Sequence, residues 1–210
     1  MKRTFTCIAM TSAFALASCG APSSDTTETD TVVSEEPVAE KLSLSDLPTI
    51  EAGLAVGETA PLASTFKTGE GDVALSAIVE KGPAVLVFTR SVEWCPFCQT
   101  QLKGINGIVE DLETRGYKLY GVSYDSIESQ DRFSKNQMLK YDMLSDESSA
   151  AIDAFGLRDP QYTEGKAVGV PYATVIVLDK EGKITAKSVS GNYRKRPTNE
   201  QVLAIVDSIS

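Results

Sequence analysis

The chain has 210 residues, 42% of them hydrophobic, with 20 Lys and Arg against 29 Asp and Glu and a formal net charge of −9. That acidic surplus argues against a nucleic-acid partner and against charge-driven binding to an anionic lipid surface. The chain has no histidine, which removes imidazole acid–base catalysis and the commonest metal ligand.

Lys2 and Arg3 precede a short, largely apolar run from Cys7 to Leu16. A membrane span needs about 20 apolar residues, so residues 1–18 read as an export signal. Leu16-Ala17-Ser18-Cys19 resembles the bacterial lipobox. The resemblance implies cleavage before Cys19 and lipidation of that residue, giving a stable membrane anchor where more than one acyl chain is attached. Gly20, in place of Asp, favours the outer membrane in an organism that has one. The expected location is therefore the bacterial cell envelope, on the periplasmic side of that membrane. Residues 19–46 are Ser, Thr, Asp, Glu, Pro and Ala with little apolar content, and no aromatic residue occurs between Phe14 and Phe66. Such a stretch buries too little surface to offset its ordering entropy, so a disordered tether is expected. Residues 47–210 have the length of a single domain.

Within that domain, Ala84-Val85-Leu86-Val87-Phe88 is an unbroken apolar run, suited to a strand buried on both faces of a parallel sheet. After Cys98, Leu102, Ile105, Val109 and Leu112 repeat at helical spacing, with Gly104 and Gly107 weakening the helix and Gly116 stopping it. Tyr117 to Tyr124 reads as a second, alternating strand, and Ser126 to Leu139 as a polar helix anchored by Ile127 and Phe133. A short strand is expected at Tyr141 to Leu144 and a short helix at Ser148 to Phe155, ended by Gly156. Thr174 to Leu178 and Lys183 to Val189 flank Asp179-Lys180-Glu181-Gly182, a hairpin signal. A last helix runs from Thr198 to Ile209, with Thr198 and Gln201 spaced for a capping box. The order predicts an α/β domain of thioredoxin-like arrangement, with a central mixed β-sheet flanked by helices.

Cysteine usage narrows the chemistry. Cys7 leaves with the signal and Cys19 is the lipidation candidate, so Cys95 and Cys98 remain as the thiols. Two thiols without histidine make only half a structural zinc site, and Gln99 after Cys98 rules out a haem-attachment motif. No metal or cofactor is expected beyond the Cys95–Cys98 pair itself. The pair sits where a buried strand passes into a helix, with Cys95 at the cap and Pro96 at the first helical position. Free N–H groups there favour a thiolate, and Cys98, one turn on, is placed to resolve a mixed disulfide formed on Cys95. A purely structural disulfide is the plainer alternative in an oxidising compartment, but so short a loop contributes little chain entropy.

Several segments resemble the peroxiredoxin-like redoxins, the alkyl hydroperoxide reductase/thiol-specific antioxidant family. These are Val56 to Pro61, Phe88-Thr89-Arg90 with Trp94-Cys95-Pro96-Phe97-Cys98, Gly121 to Asp125, Leu144-Ser145-Asp146, Ala173 to Gly182, and Asn192 to Pro197. The resemblance implies the thioredoxin fold and catalytic roles for Cys95 and Cys98. It also implies a supporting arginine, for which Arg90, Arg194 and Arg196 are candidates, with Arg196 read as a solvated surface charge. Pro171 is the candidate for the family's cis-proline facing the disulfide, and Trp94 and Phe97 are expected to cover the pair. The peroxidase loop of the family, a Thr or Ser three residues before the reacting cysteine and a Pro four before that, is absent. Aligned on Cys98 those positions are Cys95 and Ser91, and on Cys95 they are Val92 and Phe88.

The leading expectation is an exported, membrane-tethered thiol–disulfide oxidoreductase acting on protein or small-molecule thiols and disulfides. One alternative is a thiol-dependent peroxidase that reduces hydroperoxides. Another is a non-catalytic tethered binding module.

Overall fold

The computed structural model describes residues 49–209, and the expected export signal (1–18), the expected tether (19–46) and the lipidation candidate Cys19 lie outside them. Strand β3 (Ala84–Phe88) is buried along its whole length. It pairs in parallel with β4 (Lys118–Ser123) and antiparallel with β6 (Ala173–Leu178). β5 (Asp142–Ser145) runs parallel to β4, and β7 (Ile184–Ser190) forms the expected hairpin with β6. Two strands were not legible in the sequence, β1 (Thr65–Thr68) and β2 (Gly71–Ala74), which form a hairpin joined to β5 through β1. The mixed sheet has seven strands in the order β2-β1-β5-β4-β3-β6-β7.

Alternation along β3 divides the core. Leu86 and Phe88 face a cluster with Leu75, Ile78, Ile152 and Phe155, supplied by α1 (Leu75–Val79) and the region of α5 (Ala150–Ala154). Val85 and Val87 face Leu102, Ile105, Leu112, Phe133, Val202 and Ile205 on the other side. Those residues come from α2 (Pro96–Ile105), α3 (Val109–Thr114), α4 (Ile127–Gln137) and α6 (Asn199–Asp207). The expected thioredoxin-like layering, a mixed sheet flanked by helices, is present.

The helix weakened by Gly104 and Gly107 is broken, α2 and α3 being joined by a 3-10 turn at Asn106–Ile108. Gly116 follows α3 with φ +82°, a left-handed position that glycine adopts without strain. The capping box of α6 is formed in both directions by Thr198 and Gln201. β4 departs from the expected alternation, because it lies between β3 and β5 and is buried from Leu119 to Ser123. The segment at Val56 to Ala60 lies along the outer edge of β7, Gly57 N–H donating to the Ile184 carbonyl at 2.8 Å and Ala60 N–H to that of Gly182 at 2.9 Å.

Candidate active site

The loop from β3 to α2 is held from below by one carboxylate. Asp125 accepts hydrogen bonds from Ser91 Oγ at 2.6 Å, the Val92 N–H at 2.7 Å and Ser123 Oγ at 2.7 Å. Ser91 Oγ then accepts from the Glu93 and Trp94 N–H groups at 3.0 and 3.3 Å. Gln99 reaches back from α2, its Nε2 donating to the Val92 carbonyl at 2.7 Å. Burial raises the Asp125 pKa above the ordinary carboxylate value, against the pull of these three donors.

That loop delivers Cys95 to the cap position of α2, with Pro96 first in the helix, as the spacing predicts. Cys95 and Cys98 form a disulfide with Cα atoms 5.2 Å apart. Both are enclosed, Cys95 being 2% and Cys98 0% exposed.

The surroundings correct the reading of Arg196. It is not a solvated surface charge: it is mostly buried, and its Nη2 donates to Cys98 Sγ at 3.1 Å. Its Nε donates to the Tyr193 carbonyl at 3.0 Å and its Nη1 to Gln101 Oε1. Burial, and then the charge of Arg90, push its guanidinium down to about 10. The resemblance placed Arg196 among the candidate arginines, but no local pattern could choose it, because the contact joins α2 to the segment before α6, 98 residues away.

Arg90 is in the site as expected, though not on the sulfur. Its guanidinium carbon lies 4.2 Å from the ring centre of Tyr193, 4.4 Å from that of Tyr162 and 5.0 Å from that of Trp94. Tyr162 carries no signal of its own in the sequence, and Tyr193 stands there only as part of the family-like segment Asn192 to Pro197. Trp94 is half-buried and its indole N–H donates to Tyr124 Oη at 3.0 Å, while that hydroxyl donates to the Lys166 carbonyl. Phe97, at 44% exposed, lies edge-on to Tyr193 and forms the outer rim. Arg194 is exposed against Phe97 and Tyr193. Pro171 is buried in an isolated antiparallel bridge to Arg158, with Asp159 N–H donating to the Val170 carbonyl. Among the described residues no group of His, Cys, Asp and Glu could hold a metal ion.

A strand leading into a proline-started helix, with one cysteine at its cap, a second in its first turn and a guanidinium on the second sulfur, is an arrangement able to support thiol redox chemistry. Comparison with known proteins gives the family. Residues 56–187 match the model of the AhpC/TSA family. The chain belongs to that family. Among curated relatives, the 1-Cys peroxiredoxin PER1 of Triticum aestivum is 25% identical over 164 residues, covering 75% of this chain and 73% of that protein. The peroxiredoxin Bcp of Escherichia coli (strain K12) is 28% identical over 104 residues, covering 50% of this chain and 67% of the relative. Among solved structures, the peroxidoxin BcpB of Mycobacterium tuberculosis superposes with a TM-score of 0.63 at 20% identity, covering 75% of this chain and 99% of that one. At that identity the superposition speaks for the fold. As an AhpC/TSA member the chain is a peroxiredoxin-like antioxidant enzyme, and the chemistry of the family is carried by cysteine, without a cofactor.

Proposed function

We propose that this AhpC/TSA protein is a thiol-dependent peroxidase in which Cys98 is oxidised by a hydroperoxide and Cys95 resolves it. The observation that carries the assignment is the 3.1 Å contact from Arg196 Nη2 to Cys98 Sγ. A guanidinium beside a thiol favours its ionised form, which is the nucleophile. The Cys98 thiolate attacks the terminal peroxide oxygen, the O–O bond breaks, and the alkoxide or hydroxide leaves with a proton as alcohol or water. Cys98 is then a sulfenic acid. The Cys95 thiolate displaces its hydroxyl, which leaves as water, and the Cys95–Cys98 disulfide forms. Two external thiols return the pair to the reduced state and leave as their own disulfide.

The same pair would support thiol–disulfide exchange, with a partner thiolate attacking Cys95 and Cys98 leaving as the thiolate beside Arg196. The relatives, named as peroxiredoxins, favour the peroxide reaction over that first expectation. Trp94 and Phe97 are proposed to border the reacting pair, and Pro171 to present backbone to a reducing partner, as the family resemblance implies. Lipidation at Cys19 is proposed to hold the enzyme at the periplasmic side of a bacterial envelope membrane. Mass spectrometry of the mature amino terminus, with Cys19→Ala as control, tests the anchor.

The catalytic reading is tested by mixing reduced full-length protein in detergent with hydrogen peroxide in a stopped-flow instrument, using Trp94 as the sole tryptophan reporter. Saturating oxidation at micromolar peroxide, abolished by Cys98→Ser, is the expected result. Oxidation no faster than that of a free thiol would leave disulfide exchange as the function.

A further inference from the structure

We infer that Arg90 forms a carboxylate-binding subsite beside the redox pair, so that the enzyme prefers carboxylate-bearing reactants over neutral ones of the same size. The inference rests on the peroxidase reading and extends it to the class of substrate. Arg90 is 6% exposed, and no hydrogen bond or ion pair to its guanidinium occurs among the described residues. Its Nε is both shut off from solvent and without an acceptor. The rings of Tyr193, Tyr162 and Trp94 pack at 4.2, 4.4 and 5.0 Å from its Cζ. Aromatic faces attract a cation but accept no in-plane hydrogen bond from it. The Nη edge is therefore the part of the fork left for a ligand.

A buried charge without a counter-ion is costly, and a second guanidinium aggravates the cost here. Tyr193 links the two arginines, its ring lying on Arg90 and its carbonyl accepting from Arg196 Nε. Arg196 is already committed to Cys98, Gln101 and Tyr193. Arg90 is held in place with nothing to bind. In a chain of net charge −9, two cations left without a carboxylate at the reacting sulfur form a local anion site. A planar fork fits a carboxylate in particular, through two parallel hydrogen bonds. The carboxylate could belong to the organic hydroperoxide or to the reducing thiol, since each must approach this pair.

Two series of rate measurements on the full chain in detergent separate these sources. For the oxidising half, monoperoxysuccinate is compared with peroxybutanoic acid, which has the same length without the carboxylate. For the reducing half, mercapto acids of increasing length are each compared with the matching mercapto alcohol. Wild type should favour the charged member about tenfold in one series, in line with a charge-assisted hydrogen bond. Arg90→Met should bring that ratio close to one, and Arg90→Lys should restore part of it. Succinate, which cannot react, should also perturb Trp94 fluorescence in wild type and not in Arg90→Met. Ratios that are the same in wild type and Arg90→Met in both series, from a variant with native circular dichroism, would overturn the inference alone. If neither the charged nor the neutral peroxide oxidises the cysteines faster than a free thiol, this inference and the peroxidase reading fall together.

Discussion

Arg196 places Nη2 3.1 Å from Cys98 Sγ, while burial and the neighbouring Arg90 make its own charged form more costly. The two effects act together on reduction. A thiolate on Cys98 supplies the counter-charge that the arginine lacks, so the reduced, ionised pair is favoured. Arg196→Met should therefore raise the pKa of the reduced Cys98 thiol by about 1–3 units, the usual effect of an opposite charge at this range. The pH profile of alkylation of the reduced Cys95→Ser protein measures it, and Arg196→Lys should recover part of the shift. An unmoved profile would show that Arg196 only packs against the sulfur.

The roles assigned to the two cysteines give opposite phenotypes. Cys98→Ser should abolish oxidation by peroxide, leaving a Cys95 thiol that reacts no faster than a free one. Cys95→Ser should keep the first oxidation and stop there, with a sulfenic acid on Cys98 that a dimedone probe captures. Capture on Cys95 in the Cys98→Ser protein at a wild-type rate would reverse the assignment.

Much of this site could be read from the chain because its signals are local. Cys95, Pro96 and Cys98 lie within one helical turn, and the buried run Ala84 to Phe88 announces the strand that feeds them. The hairpin at Asp179 to Gly182 and the capping box at Thr198 are likewise short-range patterns. What escaped depends on contacts distant in sequence. Arg196 reaches Cys98 only after α6 packs against the 3-10 turn, and Tyr162 reaches Arg90 from a loop without regular periodicity. β1 and β2 escaped for another reason: Thr65–Thr68 and Gly71–Ala74 are short and largely polar, and Phe66 is the one fully buried side chain among them.

Asp125 stands out in the sequence only as the end of a family-like strand, yet it anchors the active-site loop. Asp125→Asn keeps the shape but offers one oxygen where two served three donors. The expected loss is about 1–3 kcal/mol, the cost of leaving a buried donor unsatisfied. The pH dependence should change as well. Because burial raises its folded pKa, the unfolded chain releases this proton first as pH rises. Below the ordinary Asp pKa both states are protonated and Asp125 adds no pH-dependent term. Across the window from that value up to the raised folded pKa, wild type loses stability with rising pH. Asn does not titrate, so the variant should lack that decline in urea denaturation run at a series of pH values. Parallel profiles would remove Asp125 as its source.

Gly121 sets how closely α2 approaches the sheet. A Cβ there would strike the end of the Met143 side chain and lie 3.3 Å from Leu102 Cδ2. Leu102 is on the helix that carries Cys98. Met143 is flexible enough to yield in part, so Gly121→Ala should cost about 1–3 kcal/mol as an overpacked core and displace α2 as it does so. Gly104 on the same helix is the control. It is exposed, a methyl group added there would meet nothing within 4 Å, and its replacement by Ala should stabilise by about 0.5–1 kcal/mol. Urea midpoints of opposite sign for the two variants, with slowed peroxide oxidation in Gly121→Ala alone, are the expected outcome. Equal midpoints would mean that the seat of α2 on β4 has slack, and that the position of Cys98 is set by the loop held by Asp125.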